Sequence, residues 1–170
     1  MIGSFEGKEP EIPESAFVSE MAYVVGDVVL REESSVWPFV CIRGDVGQTI
    51  LGERSNVQDH SMLHKAKVGS DVTIGHHVTV DQAKVQDECL IGINSSVLQG
   101  AVVESGSVVA AGAVVREGMT VPEGHMAYGV PADVKPLDDT VSNQIPHYAS
   151  TYVKNRERWK EDGDHDSRDG

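Results

Sequence analysis

The sequence has few aromatic residues, few cysteines and no long apolar run. Phe, Trp and Tyr make up 5% of the 170 residues, so large rings do not build the core. The two cysteines, Cys41 and Cys89, are too few for a disulfide framework. The first residues contain no basic region followed by an apolar stretch, and no apolar run long enough to span a membrane occurs anywhere. We therefore expect a soluble, cytoplasmic protein.

Basic residues are also scarce. The chain has 14 Lys and Arg against 27 Asp and Glu, which gives a formal net charge of −13. This surplus of acids argues against nucleic acid and against anionic membrane surfaces as partners. Small branched side chains and turn formers are abundant instead, with 26 valines and 17 glycines along the chain. Such a composition favours short strands joined by tight turns.

A repeat of six residues organises this composition. Val, Ile or Leu recurs at eighteen positions, and 14 of the 17 steps between them are six residues long. A helix gives a period near 3.6 and an ordinary strand a period of two, so neither explains the pattern. The eighteen positions are Val18, Val24, Leu30, Val36, Ile42, Leu51, Val57, Leu63, Val68, Ile74, Val80, Val85, Ile91, Val97, Val103, Val109, Val115 and Val121.

The corner of each repeat has its own signature. Five glycines, from Gly100 to Gly124, each follow a repeat-start residue by three places, which indicates backbone with positive φ. His60 and His77 occupy the same position, so we predict that they serve in turns. The pattern predicts an all-β protein, a parallel β-helix with three short strands per coil and about six coils in a triangular prism. It resembles the left-handed β-helix of hexapeptide-repeat proteins, and this resemblance implies the handedness and a trimeric assembly.

The repeat ends near Pro136. Beyond it, apolar and aromatic residues from Ile145 to Trp159 have helical spacing, which predicts one helix over about 146–160 packed on the prism or on a neighbour. We thus divide the chain into a β-helix domain (1–136), a helical segment (137–160) and a disordered acidic tail (161–170).

The three irregular steps of the repeat identify candidate site residues. The step from Ile42 to Leu51 is long and predicts a bulged loop, whereas two steps of five residues, which contain LHKAK and VDQAK, lie three repeats apart. His64 and Asp81 each directly follow a repeat-start residue in these short repeats. Their side chains should therefore stack on one outer face, about one strand spacing apart, with Arg43 in the same column one coil earlier.

His76 falls on a different face, in line with Asp59. One prism cannot bring His76 to His64, but a threefold trimer can place the Asp59 and His76 face of one subunit against the Arg43, His64 and Asp81 face of the next. The sequence thus predicts a Zn²⁺ site of His64, His76 and Asp81 at the subunit interface, and an Arg43–Asp59 pair across it. The alternative is that His64 and Asp81 form an exposed interface pair without a metal.

Several segments resemble the γ-class carbonic anhydrases. They are RGDVGQTILGERSNVQDHSMLH, VTIGHHVTV, LIGINSSVLQGAVV, VVAAGAVV and AYGVPA, and the resemblance covers roughly residues 10–160. It implies reversible hydration of CO₂ to bicarbonate by a homotrimer, with Zn²⁺ or another divalent ion such as Fe²⁺ or Co²⁺. It also implies roles for site residues: His64 and His76 as metal ligands, Gln58 and Asn56 near the bound water, Tyr128 at the same pocket, and Arg43, Asp45 and Asp59 as an interface charge network.

The chain departs from that family pattern at the third ligand. In G-H-x-x-x-x-H-G, Asp81 replaces the second histidine and Gln82 replaces the final glycine, while Ile93 replaces a methionine of a later G-M-G. A carboxylate can bind zinc, but its charge should make a bound water less acidic than in a site of three neutral histidines. Three hypotheses follow: a weak or active CO₂ hydratase, a catalytically inactive trimeric scaffold, and a CoA-dependent acyltransferase.

Overall fold

A computed structural model of the protein describes residues 1–162 and contains 19 strands and two helices. Most strands have two or three residues. In chain order they are β1 (Ile2–Gly3), β2 (Phe17–Val18), β3 (Tyr23–Leu30), β4 (Ser35–Val36), β5 (Cys41–Leu51), β6 (Asn56–Val57), β7 (Met62–His64), β8 (Lys67–Val68), β9 (Thr73–Ile74), β10 (Thr79–Asp81), β11 (Lys84–Val85), β12 (Leu90–Ile91), β13 (Ser96–Val97), β14 (Val102–Val103), β15 (Val108–Val109), β16 (Val114–Val115), β17 (Thr120–Val121), β18 (His125–Tyr128) and β19 (Asp133–Pro136), followed by α1 (Asp139–Ser142) and α2 (Ile145–Asp162).

The strands form the three faces of a parallel β-solenoid. Face 1 contains the first part of β3, the first part of β5, and then β7, β10, β13 and β16. Face 2 contains the second parts of β3 and β5, and then β8, β11, β14 and β17. Face 3 stacks β2, β4, β6, β9, β12, β15 and β18 in parallel, and β19 adds an antiparallel edge.

The predicted repeat-start residues build the core. Seventeen of the eighteen are buried, from Val24 to Val121, and Val18 in the first coil is half-buried against the same core. Face 3 shows seven coils rather than the six expected, because the six-residue phase continues one step past Val121. The extra position is Ala127, which is fully buried but is not a branched residue, so the pattern of Val, Ile and Leu missed it.

The corners confirm the second part of the pattern. Gly100, Gly106, Gly112, Gly118 and Gly124 all have positive φ, and so do His60 (61°) and His77 (55°). Other glycines are required by close packing between coils instead. A Cβ at Gly52 would lie 2.1 Å from the carbonyl oxygen of Gly69, in the next coil, so any larger side chain there must push the coils apart.

The C-terminal helix packs on the first coils of face 3 of its own chain. The rings of Trp37 and Trp159 lie 5.4 Å apart, and that of Trp37 lies 5.3 Å from Tyr152. Arg156 is 3% exposed and donates a hydrogen bond of 2.7 Å to the carbonyl of Ser15. These contacts join residues more than 100 positions apart and fix where the helix lies.

Helix α2 extends two residues past the predicted end at 160, because no glycine or proline interrupts the chain between residues 147 and 162. The rest of the predicted acidic tail, residues 163–170, lies outside the described residues. Within residues 1–162, neither helix has the length and hydropathy needed to cross a membrane.

Candidate metal and hydration site

Face 1 aligns Arg43, His64 and Asp81 in one column, which confirms the register read from the short repeats. Arg43 pairs with His64 between β5 and β7, and His64 pairs with Asp81 between β7 and β10. Leu63, the residue before His64, points inward and is fully buried, so the alternation of the strand directs the imidazole outward.

His64 meets a carboxylate at each of its two ring nitrogens. Its Nδ1 lies 2.8 Å from Oδ1 of Asp81, within hydrogen-bond distance. Its Nε2 lies 3.2 Å from Oδ1 of Asp45. Both atoms are buried, and neither makes a hydrogen bond within residues 1–162. The imidazole is 17% exposed. A histidine held between two carboxylates is well suited to bind or retain a cation.

Asp45 lies where the long repeat step predicted a bulged loop. Strand β5 is continuous there, but its pairing with β3 changes register between Gly44 and Thr49. The other oxygen of Asp45, Oδ2, accepts a hydrogen bond from the Arg43 guanidinium. This contact holds the pKa of Asp45 below its usual range and raises the pKa of Arg43, so the carboxylate stays ionised. Within one chain, Arg43 therefore pairs with Asp45, and its pairing with Asp59 of a neighbouring subunit stays a prediction.

His76 and Asp59 lie together at the corner between faces 3 and 1. The Nδ1 atom of His76 is 3.1 Å from Oδ2 of Asp59, and both side chains are more than a third exposed. Burial raises the pKa of the nearby Tyr152 hydroxyl, and the negative charge of Asp59 raises it further. The single chain keeps this pair apart from His64, as the register predicted.

A buried amide pair lies on face 3. The Nε2 group of Gln58 donates to Oδ1 of Asn56 at 3.1 Å, and Nδ2 of Asn56 donates to Oγ1 of Thr73 at 3.0 Å. Both amides are buried, so their orientation is fixed by these bonds. Because the Gln58 amide group is used for donation, its oxygen remains to accept a hydrogen bond from a water or a ligand.

Within one chain, the tyrosine that shares a cavity with Gln58 is Tyr148. Gln58 and Tyr148 of α2 line a mostly apolar cavity of about 300 Å³ that also includes Leu90 and Val108. Tyr128 shares the column of Gln58 but lies four coils away, roughly 19 Å at the usual strand spacing, and it contacts Lys135 instead. A single chain therefore does not bring Tyr128 to this pocket, and the approach of Tyr128 to the interface site stays a prediction. In the sequence, the one signal for Tyr148 is the helical spacing of the residues from Ile145 to Trp159, which predicts a helix packed on the prism.

The donors suit a divalent metal, although one chain does not complete a set. In residues 1–162, no three His, Cys, Asp or Glu side chains converge to hold a metal ion. The buried and unbonded Nε2 of His64 and Oδ1 of Asp45 nevertheless face each other, and both are atoms that bind zinc. These two atoms fit a metal site that a further donor from outside the chain would complete.

Comparisons with known proteins extend this picture. The chain is 42% identical over 166 residues to a carbonic anhydrase of Geobacillus kaustophilus, covering 94% of this chain and 91% of that protein. It is 32% identical over 158 residues to the mitochondrial gamma carbonic anhydrase 2 of Arabidopsis thaliana, covering 86% of this chain and 57% of that protein. No family model matches the chain.

A solved structure matches the fold. A hexapeptide transferase family protein from Anaplasma phagocytophilum superposes with a TM-score of 0.88 at 27% identity, covering 93% of this chain and 97% of that one. Fold and site together thus define a hexapeptide-repeat β-solenoid protein. Its full-length sequence similarity is more specific, and the chain belongs to the γ-class carbonic anhydrase family.

Proposed function

We propose that the protein is a metal-dependent hydratase that interconverts CO₂ and bicarbonate at the interfaces of a homotrimer. The observation that carries this proposal is the buried Nε2 of His64, which faces the carboxylate of Asp45 without a hydrogen bond to it. Membership of the γ-class carbonic anhydrase family supports a divalent metal at this position. Zn²⁺ is the ion we propose, with Fe²⁺ or Co²⁺ as substitutes in the same donors.

His64 and His76 are the proposed imidazole ligands, and a carboxylate completes the protein's contribution. The sequence proposed Asp81 for this third place, and Asp45 is the other carboxylate in contact with His64. Because His76 lies on another face, it is supplied by a neighbouring subunit. When bound, a divalent ion supplies the positive charge that makes a water acidic enough to ionise near neutral pH.

The protein's own groups then orient the reactants. The fixed amide of Gln58 offers its oxygen to a water proton, because its nitrogen is committed to Asn56. Oriented in this way, the water presents its oxygen lone pair to the carbon of CO₂, and the products are bicarbonate and one proton. The apolar cavity beside Gln58 and Tyr148 suits a small uncharged substrate such as CO₂.

Stopped-flow CO₂ hydration with a pH indicator tests the proposal directly, with metal content measured on the same samples. We expect hydration above the buffer rate in wild type and its loss, together with the metal, in His64→Ala and His76→Ala. His125→Ala is the matched control, since His125 lies in the last coil and bonds only the carbonyl of Glu123 through its ring. The wild-type protein is purified from cells grown with added zinc. If it then carries less than about a tenth of a metal ion per chain and shows no hydration of CO₂, the proposal is overturned in favour of an inactive scaffold.

A second candidate is a CoA-dependent acyltransferase, because the superposed structural relative is named a transferase. In that case an exposed histidine at the interface would act as a general base on an acceptor hydroxyl. Titration calorimetry with acetyl-CoA separates the two candidates. Binding of acetyl-CoA by a metal-free protein without hydratase activity would favour the transferase.

A further inference from the structure

The two carboxylates in contact with His64 are not equivalent. Asp81 lies in the neighbouring coil, in register with His64, and its Oδ1 is 2.8 Å from Nδ1. Asp45 lies in the part of β5 where the register changes, and it faces the opposite nitrogen, Nε2. One carboxylate has hydrogen-bond geometry and the other has none. This difference separates the two roles that a carboxylate can take beside a metal-binding histidine.

Asp81 lies beside Nδ1 of His64 and is suited to fix the position of the proton on the ring. A neutral imidazole carries one proton, and a carboxylate at 2.8 Å from Nδ1 holds that proton on Nδ1. The lone pair is then on Nε2, which is the nitrogen left to bind a metal. Metal-binding histidines commonly donate their second N–H to a carboxylate in this way, which fixes the tautomer and the orientation of the ring.

Asp45 lies beside Nε2 of His64, the nitrogen that is left to bind a metal. Its Oδ1 and Nε2 of His64 are 3.2 Å apart, and both are buried without a hydrogen bond to any residue that the structure describes. Leaving a buried polar atom unpaired is unfavourable, so two such atoms facing each other are unusual. Zinc at about 2.0–2.1 Å from the nitrogen and about 2.0–2.2 Å from the oxygen, with a near-tetrahedral angle between them, would separate the two atoms by about 3.3–3.5 Å. The observed separation of 3.2 Å is close to the lower end of that range.

We propose that Asp45 is the carboxylate ligand of the metal centre and that Asp81 is a positioning residue for His64. The inference rests on the proposed function, since it concerns the same metal. The ligand set becomes His64 and Asp45 from one chain with His76 from the next. Arg43 supports this role because it donates a hydrogen bond to Oδ2 of Asp45 and so keeps Oδ1 turned toward His64. Asp81 stands where the γ-class family pattern has a metal-binding histidine, and its role here is to orient His64.

Metal affinity measured by competition with a chromophoric zinc chelator separates the two roles. Asp81→Asn keeps an oxygen that accepts from Nδ1, so we expect its affinity to stay within about threefold of wild type, while Asp81→Ala should lose about 10–100-fold. Asp45→Asn should lose as much affinity as His64→Ala. Asp71→Asn is the control for removing a paired surface carboxylate, because Asp71 bonds Arg54 at the corner between faces 2 and 3, away from the site. The inference is wrong if Asp81→Asn loses as much as His64→Ala while Asp45→Asn does not.

A positive signal covers the case in which Asp45→Asn fails to assemble. In Asp45→Cys and Asp81→Cys loaded with Co²⁺, a thiolate bound to the metal adds an intense sulfur-to-metal absorption band in the near ultraviolet. We expect the band in Asp45→Cys and not in Asp81→Cys, and the reverse result refutes the inference. Wild type that binds neither Co²⁺ nor Zn²⁺ would refute the proposed function as well. Wild type that binds metal while Asp81→Cys gives the band refutes only the ligand assignment.

Discussion

Replacing Arg156 with methionine should weaken the packing of the C-terminal helix on the first coil. The guanidinium is 3% exposed, donates to the carbonyl of Ser15 at 2.7 Å and lies 3.4 Å from a carboxylate oxygen of Glu33. Methionine retains an apolar stem of similar length but leaves the Ser15 carbonyl without this donor. The helix carries Tyr148, which lines the cavity beside Gln58, so its position matters for the site.

The expected cost is about 2 kcal/mol. A hydrogen bond from a charged donor contributes about 1.5–3 kcal/mol, and the pair with the exposed Glu33 adds less than about 1 kcal/mol. The Nε atom of Arg156 is buried and has no hydrogen-bond partner in the described part of the chain, so its removal offsets part of this loss. For a protein of this size, about 2 kcal/mol corresponds to a fall of about 4–8 °C in the midpoint of thermal unfolding.

Intrinsic fluorescence is a direct assay for this helix. The chain has two tryptophans, and Trp37 and Trp159 contact each other where α2 meets the prism. Arg156→Met should lower the urea midpoint of the fluorescence transition. Arg158→Met should change the free energy of unfolding by less than about 0.5 kcal/mol and leave the midpoint nearly unchanged, because Arg158 is exposed. Equal midpoints for the two variants would refute the assigned role of Arg156.

Three further predictions concern the solenoid. Gly52→Ala should destabilise the protein more than Gly106→Ala in urea unfolding. A Cβ at Gly52 would lie 2.1 Å from backbone, whereas a Cβ at Gly106 would meet nothing within 4 Å and is disfavoured by its φ of +65° alone. Equal effects would contradict this packing. Leu63→Ala should lower the free energy of unfolding by about 2–5 kcal/mol, since Leu63 is fully buried, and a loss below about 1 kcal/mol would contradict that burial. In thiol titration at pH 8, Cys41 should react first and Cys89 only on unfolding, because burial raises the pKa of Cys89 to about 11; simultaneous reaction would count against it.

The sequence predicts the solenoid well because its repeat is a direct record of which side chains point inward. Each coil needs one small branched residue per face, and that demand is periodic and local. The repeat of Val, Ile and Leu does not include Ala127, because a buried alanine cannot be told from an exposed one in the sequence. The seventh coil followed from pairing with β15, which only the structure reveals.

The site is less predictable because part of it does not follow the repeat. Register placed Arg43, His64 and Asp81 in one column, since residues in equivalent positions must stack. The contact between Asp45 and His64 depends on how a nine-residue step folds back over face 1, and no periodicity encodes that path. Tyr148 is set by the packing of α2, which depends on contacts between distant parts of the chain.

Mixing two inactive variants tests the shared metal site most directly. His64→Ala and His76→Ala should each lack bound metal and CO₂ hydration as separate proteins. If each site takes His64 from one subunit and His76 from the next, random reassembly of equal amounts should restore about one quarter of the wild-type sites, since each of the two required subunits is present with a probability of about one half. Recovery of about a quarter of both metal and hydration activity is the predicted result. No recovery after confirmed subunit exchange, with wild type fully active, would contradict a site shared between subunits.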